Sequence, residues 1–444
     1  MVNQNFADYL KILSDQFFKL LEPNEEVSFL VHSEESQFVR FNQSKVRQNT
    51  SVFQHELEIK LQFQKKILQS KLNLILHLET DLLNLKYELI QLRNNIITID
   101  PHPQFVDLEN HGQSVTVKKI ERPSDDEIIK MILKFNESVD MAGLYCSGPV
   151  RRAAINSKGQ FHFFESDFYF FDYSIYNGAK AAKGFFSIEK WNEEFLKKNI
   201  QMTIDKLNSL NKPEITVKPG KYTVFLEPMA VQEILMTLAW GGLSMASYKQ
   251  GQSPLRKFID NEVVLSSQFN LTENLELGFV PQFNNIGELG QSKLDLIHLG
   301  KISNLLTSSA TAQEYKLVSN LANPEEIFRS PELKPGSLDE KDIFKKIGTG
   351  LYLSNLHYIN WSDRQTARLT GMTRFACFWV ENGEIVGPIK DMRFDDSIYS
   401  LFGSNLLDLT QKQDLFIDSM TYNKRSLGVL KTPGALIQQM NFTL

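Results

Sequence analysis

The 444-residue chain has only two cysteines, Cys146 and Cys377, and they lie 231 residues apart. So few cysteines build no disulfide framework, and with no Cys-x-x-Cys pair they offer no structural zinc site. Long apolar runs are missing too: none approaches the ~18 residues of a membrane span. The N-terminal MVNQNFADYLKILSDQFF carries Asp8 and Asp15 where a secretory signal needs an unbroken apolar core. A cytoplasmic protein with no membrane partner is therefore expected. There is no excess of base either, because 53 acids against 48 bases leave a net charge of −5. Nucleic-acid binding rests on cationic surfaces that release counterions, so no nucleic-acid partner is expected. What the chain does have is an ordinary globular share of apolar residues (42%) and 32 Phe against 23 Gly. It buries bulky side chains and is not dominated by loops.

Phe6, Leu10, Leu13, Phe17 and Leu21 recur at helical spacing and predict an opening amphipathic helix. Between Gln37 and Leu78 the period falls to two (Leu57, Ile59, Leu61, Phe63, then Leu72, Leu74, Leu76, Leu78). That period predicts half-buried strands joined by a turn at Gln64-Lys65-Lys66. Residues 80–93 return to helical spacing. Residues 101–123 are polar, contain Pro and have no period, which suggests a linker. Ser124 and Glu127 form a capping-box signature before Ile128, Met131 and Ile132. Strands are expected around 144–146 and through the aromatic 161–176 segment, followed by a helix from Ser187 to about Leu210. From Pro213 onward the chain reads as mostly β with inserted helices. Lys218-Pro219-Gly220-Lys221 reads as a turn, and Asn382-Gly383 as the strongest hairpin signal. The fold class is α+β, with domains expected at 1–112, 113–212 and 213–444.

Chemistry is hard to find by motif. The eight histidines never come closer than nine residues, so no His-x3-His or His-Glu-x-x-His spacing exists. His55-Glu56 begins like such a motif, but Ile59 stands where the second histidine belongs. There is no Gly-x-Ser-x-Gly elbow, phosphate loop or Gly-x-Gly-x-x-Gly turn. Cys146 and Cys377 fall in predicted strands among aromatic residues, where a buried, inert thiol is the simpler reading. Asp125-Asp126 suits a helix start, and Asp395-Asp396 is expected in a loop.

The C-terminal part carries a family signature. Gly350-Leu351-Tyr352, Thr370-Gly371-Met372-Thr373-Arg374 and Glu381-Asn382-Gly383-Glu384-Ile385-Val386-Gly387-Pro388 closely resemble the end of TldD/PmbA-family proteins. Further matches lie at Val39-Arg40-Phe41-Asn42 to Val46-Arg47, Asn156-Ser157-x-Gly159, Gly220-Lys221-Tyr222-x-Val224 to Pro228, and Leu305–Ala312. The resemblance implies a metallopeptidase assembly of two subunit types. The TldD-type subunit holds zinc through a His-Glu-x-x-x-His helix and a C-terminal cysteine, while the PmbA/TldE type lacks both. On that pattern the helix of residues 227–244 takes the motif's place. Met236 and Gly241 then stand at the histidine positions and Thr237 at the glutamate position. Ser419–Leu444 contains no Cys, His, Asp or Glu.

The resemblance thus points to the zinc-less PmbA/TldE type, with no metal and no catalytic residue on this chain. The implied partner is a TldD-like subunit bearing the zinc, or a second copy of the chain, and the implied substrate is a peptide. Asn355, Arg374 and Glu381, polar residues beside the hairpin, are the candidate substrate or partner contacts. Arg374 suits bidentate binding of a carboxylate, or a pairing within its own ladder. Two alternatives stand beside this reading: a hydrolase with an unrecognised site, for instance at Cys377, and a non-enzymatic homodimeric binding protein. The family has also been associated with DNA gyrase control, for which this acidic chain offers no basic run.

Overall fold

The computed structural model describes residues 5–443. The first half runs α1 (Phe6–Phe17), β1 (Glu26–Asn42), β2 (Lys45–Phe63), β3 (Lys66–Asn73), α2 (Leu78–Ile96), β4 (Gln113–Lys119), α3 (Asp125–Phe135), β5 (Asp140–Asn156), β6 (Phe161–Asn177), β7 (Lys180–Phe186) and α4 (Glu193–Ser209). Its strands form one sheet in the order β3-β2-β1-β5-β6-β4, with β7 also beside β6. Every pairing is antiparallel except that of β4 with β6. The alternation at Val27, Phe29, Val31, Leu57, Ile59 and Leu61 turns these residues onto one face, where α1 and α2 cover them. Farther along the same long strands, Tyr145, Tyr169, Phe171 and Tyr173 form a second core under α3 and α4. This core also takes in Ala376 and Phe378 from the second half.

The second half runs β8 (Gly220–Leu226), α5 (Pro228–Thr237), β9 (Leu271–Asn274), β10 (Lys293–His298), β11 (Lys301–Ile302), β12 (Pro331–Leu333), β13 (Gly350–Asp363), β14 (Arg368–Glu381), β15 (Glu384–Pro388), β16 (Arg393–Ser397), β17 (Leu406–Ile417) and β18 (Val429–Phe442). The sheet order is β11-β10-β9-β12-β18-β16-β14-β13-β8, with β15 beside β14 and β17 beside β18. Because β8 also pairs with β18, strands β18, β16, β14, β13 and β8 close on themselves. The fold is α+β: an antiparallel-dominated sheet flanked by helices, then a large, mostly-β sheet with inserted helices.

Several local expectations hold. The Gln64-Lys65 turn joins β2 to β3. The Ser124 Oγ accepts from the Glu127 amide at 3.4 Å and Glu127 accepts from the Ser124 amide at 2.9 Å, which closes the capping box of α3. Asn382 and Gly383, with φ of 51° and 81°, make the tight β14–β15 hairpin.

Others are corrected. The stretch read as a linker contains β4. Its Val115 and Val117 are exposed on a sheet edge, so no burial pattern marks it, and backbone pairing with β6 holds it in place. Strands from both sides of residue 112 share this one sheet. The strand expected to reach Leu78 ends at Asn73. There the Asp81 carboxylate captures the amides of Ile75 and Leu76, each at 3.0 Å, and Leu76 turns to a φ of 61°. Strand β1 begins at Glu26, well before Gln37, because buried Ser33, Glu34 and Ser36 interrupt its apolar alternation. Helix α4 starts at Glu193, where Asn192 caps the Phe195 amide at 2.9 Å. Gly220 and Lys221 belong to β8 and are not in a turn, and Asp395-Asp396 sits on β16.

Candidate functional site

Helix α5 is the natural place to look. Pro228 opens it, Glu227 lies in the N-cap position, and Val231, Ile234, Leu235, Leu238 and Ala239 are buried against the second sheet. The three motif positions face three different environments. Met236 points outward and is 42% exposed. Thr237 is buried, and its hydroxyl donates to the Ile234 carbonyl at 2.7 Å. Gly241 lies past the end of the helix at a φ of +83°, where a Cβ would meet the Ser247 Oγ at 2.8 Å. A thioether, a spent hydroxyl and a hydrogen are not the imidazole and carboxylate donors that zinc chemistry needs, so these residues do not fit the metal. Among the described residues no three His, Cys, Asp or Glu side chains converge as a metal site.

What does converge is a cleft at the start of α5. The Glu227 carboxylate accepts from the Tyr352 hydroxyl of β13 at 2.5 Å and from Lys206 Nζ of α4 at 2.6 Å. One carboxylate thereby ties the second sheet to the helix flanking the first. Burial, with Glu227 beside it, holds the Tyr352 hydroxyl far above its ordinary pKa, so it serves as a donor. A cavity of about 250 Å³ opens here, with walls from β7, α4, the start of α5 and β17. Asp414 lines it. Burial first, then repulsion from Glu227, pushes its carboxyl up to about 6, while Lys206 pulls the other way. Glu233, exposed one turn into α5, is raised as well, by the protein close around its carboxyl and by Asp172, with Lys183 opposing.

Of the three contacts expected beside the hairpin, one touches α5. Asn355 of β13 is buried, not exposed as its polar side chain suggested. Its amide Nδ2 lies 2.6 Å from the Met229 sulfur, and its Oδ1 accepts from Ser354 Oγ at 2.9 Å, so it braces α5 from behind. Arg374 is its cross-strand partner on β14, exposed, with the guanidinium 4.9 Å from the Phe375 ring. Glu381 is exposed at the far end of β14, seven residues and roughly 20 Å away, next to Glu384. Cys377 is buried and donates to the Arg374 carbonyl at 3.2 Å. Burial pushes its thiol up to about 11, and that of Cys146 to about 12. Neither is a thiolate at neutral pH. The residues that sequence reading missed are Lys206, Glu227, Tyr352 and Asp414. Two of them carried a local signal, Glu227-Pro228 at a helix start and Tyr352 within the Gly350-Leu351-Tyr352 signature.

A family model for the PmbA/TldA metallopeptidase C-terminal domain matches residues 219–444, just over half of the chain. The chain belongs to the PmbA/TldD family. Solved structures of similar fold span the whole molecule. TldE from Thermococcus kodakarensis is 14% identical with a TM-score of 0.76, covering 98% of this chain and 100% of its own. A candidate modulator of DNA gyrase from Thermotoga maritima is 16% identical with a TM-score of 0.76 over the same shares. Another, from Bacteroides thetaiotaomicron, is 16% identical with a TM-score of 0.78, covering both chains fully. At these identities the likeness is one of fold. No curated protein matches the chain by sequence. No helix among the described residues of this PmbA/TldD-family chain is long and apolar enough to cross a membrane.

Proposed function

We propose that this chain is the PmbA/TldE-type subunit of a metallopeptidase assembly, carrying no zinc itself and pairing with a TldD-like subunit that does. The observation behind this reading is the donor set at positions 236, 237 and 241. Three side chains that cannot serve zinc occupy the three places where the family's metal helix needs its ligands and base. Zinc, when bound by such a partner, supplies a Lewis acid and an activated water for attack on a peptide carbonyl. This chain's part is to hold and orient peptide against that site, through the cleft beside α5 and the exposed Arg374. The shared fold with TldE supports the subunit type. A hydrolase built on Cys377 loses its footing, because that thiol is buried, protonated and already hydrogen-bonded to backbone.

The test is to purify the chain alone and together with the TldD-like subunit of the same genome. Native mass and zinc content are then measured, along with cleavage of an unstructured peptide. The chain alone is expected to hold well under one zinc and cut nothing, while the pair forms a stable complex and cleaves. Stoichiometric zinc on the lone chain, or hydrolysis by it, overturns the reading.

A further inference from the structure

The cavity between α4–β7 and β17 has an uneven charge balance. Six charged side chains line it: Lys183, Glu189, Lys206, Glu227, Asp414 and Lys431. Five of them are already neutralised. Lys206 pairs with Glu227 at 2.6 Å, Lys431 with Glu189 at 3.2 Å, and Lys183 with Asp172 at 2.7 Å. Asp414 is the exception: among the described residues its carboxylate accepts no hydrogen bond and joins no ion pair. Its side chain is exposed to solvent, while the protein packed beside it and Glu227 raise its pKa. At pH 7 it still carries its charge, and the neighbouring Glu227 repels it. The uncharged lining is mixed: Ser187, Asn199, Thr203 and Gln413 are polar, while the Phe185 and Phe416 rings lie 5.6 Å apart and Met202 and Phe195 stand exposed at the rim. Aromatic rings for an alkyl stem, polar groups beside them and a single unpaired carboxylate together suit an amphipathic cation, a stem ending in ammonium or guanidinium. At about 250 Å³ the space is below the ~300–1,000 Å³ typical of drug-sized ligands and suits one side chain.

We propose that this cavity is a side-chain pocket for a lysine or arginine of a bound peptide, with Asp414 as the residue that selects the cation. The inference deepens the peptide-subunit reading and rests on it for the word peptide; the preference for a cation rests on the cavity alone. The pocket opens where α5 begins, so a side chain seated in it places the peptide backbone along the exposed Glu233 and Met236 edge of the helix. Asp414 binds and orients; nothing in the pocket is a catalytic residue.

The experiment measures binding to the full chain, without partner, of the blocked peptide acetyl-Ala-Ala-Lys-Ala-Ala-amide and of its norleucine isostere, by calorimetry at pH 7.5. Cadaverine serves as the free-amine control. The lysine peptide is expected to bind at least about tenfold more tightly than the norleucine peptide. Asp414→Asn is expected to erase that difference, and Asp414→Glu to keep part of it. Thermal unfolding of Asp414→Asn at or above that of the native chain shows that lost binding is not lost fold. Equal affinity for the two peptides, including no detectable binding of either at millimolar concentration, overturns the proposal, as does an undiminished lysine preference in Asp414→Asn. Cadaverine binding as tightly as the lysine peptide overturns the assignment to a peptide side chain. Because the lone chain is measured, failure to pair with a TldD-like subunit leaves this result untouched, and the two readings fail separately.

Discussion

Asp414 and Arg425 lie eleven residues apart, the first in β17 and the second in the β17–β18 connection, and the one is exposed where the other is fully buried. Arg425 is fully buried and held on several sides. Its guanidinium donates to Ser36 Oγ at 3.2 Å, to the Gly148 carbonyl at 2.9 Å and to the Phe168 carbonyl at 3.0 Å, and it stacks 4.2 Å from the Phe168 ring. All of those partners belong to the first sheet, so one side chain from the last loop rivets the two halves together. Asp414 faces the same seam but has no partner. A buried charge with partners is a structural commitment, and an exposed one without them is free to bind.

That contrast can be broken experimentally. The largest effect is expected from Arg425→Ala, which takes the donor away from the Gly148 and Phe168 carbonyls and empties a buried site at the seam. Equilibrium unfolding in urea is expected to show a loss of about 3–5 kcal/mol. A loss under about 1 kcal/mol would put Arg425 in the same class as Asp414.

His32 is an intermediate case, buried and, among the described residues, without a hydrogen bond to either ring nitrogen. Burial first, then the positive Arg152 and Lys424, pushes its pKa down to about 3, from 6.5 in the unfolded chain. Unfolding therefore takes up a proton below pH 6.5. The stability His32 confers is complete above that pH and drains away as pH falls toward 3. Between pH 7 and 4.5 the native chain is expected to lose roughly 2.5 kcal/mol more than a His32→Leu variant, measured by urea unfolding at both pH values.

Lys206→Met tests the cleft itself. It leaves Glu227 with Tyr352 alone and removes the cation that restrains Asp414. A loss of about 1–2 kcal/mol is expected from unfolding at pH 7. Smallest and opposite in sign is Asp414→Asn. A carboxyl whose pKa is raised in the fold, here from 3.8 to about 6, costs stability once pH climbs through that window. Because the side chain touches solvent, the gain at pH 7 is expected to be only ~1 kcal/mol, vanishing below about pH 4. Destabilisation at pH 7 would mean that Asp414 has a structural partner after all.

Much of the fold was legible because its signals are local. The α3 capping box, the Asn382-Gly383 hairpin and the α1 stripe each need only a few neighbouring residues. Strand β4 was not legible, since an exposed edge strand has no buried face to create a period. Nor was the burial of Asn355, whose place depends on Met229, 126 residues away. The start of α4 was blurred because Ser187 sits in extended chain along β17, donating to the Leu415 carbonyl at 2.6 Å, before Asn192 caps the helix.

The sequence by itself determined the absence of zinc donors at positions 236, 237 and 241, because a missing imidazole is missing in any fold. It also determined the family, through the contiguous stretches that carry it. Only the tertiary structure decided which charges are spent and which are free. Lys206, Glu227 and Tyr352 meet across 146 residues of chain to neutralise one another, and Asp414 is left over. Pairing of charges is a matter of ångströms in space, and the order of residues along a chain does not encode those distances one pair at a time.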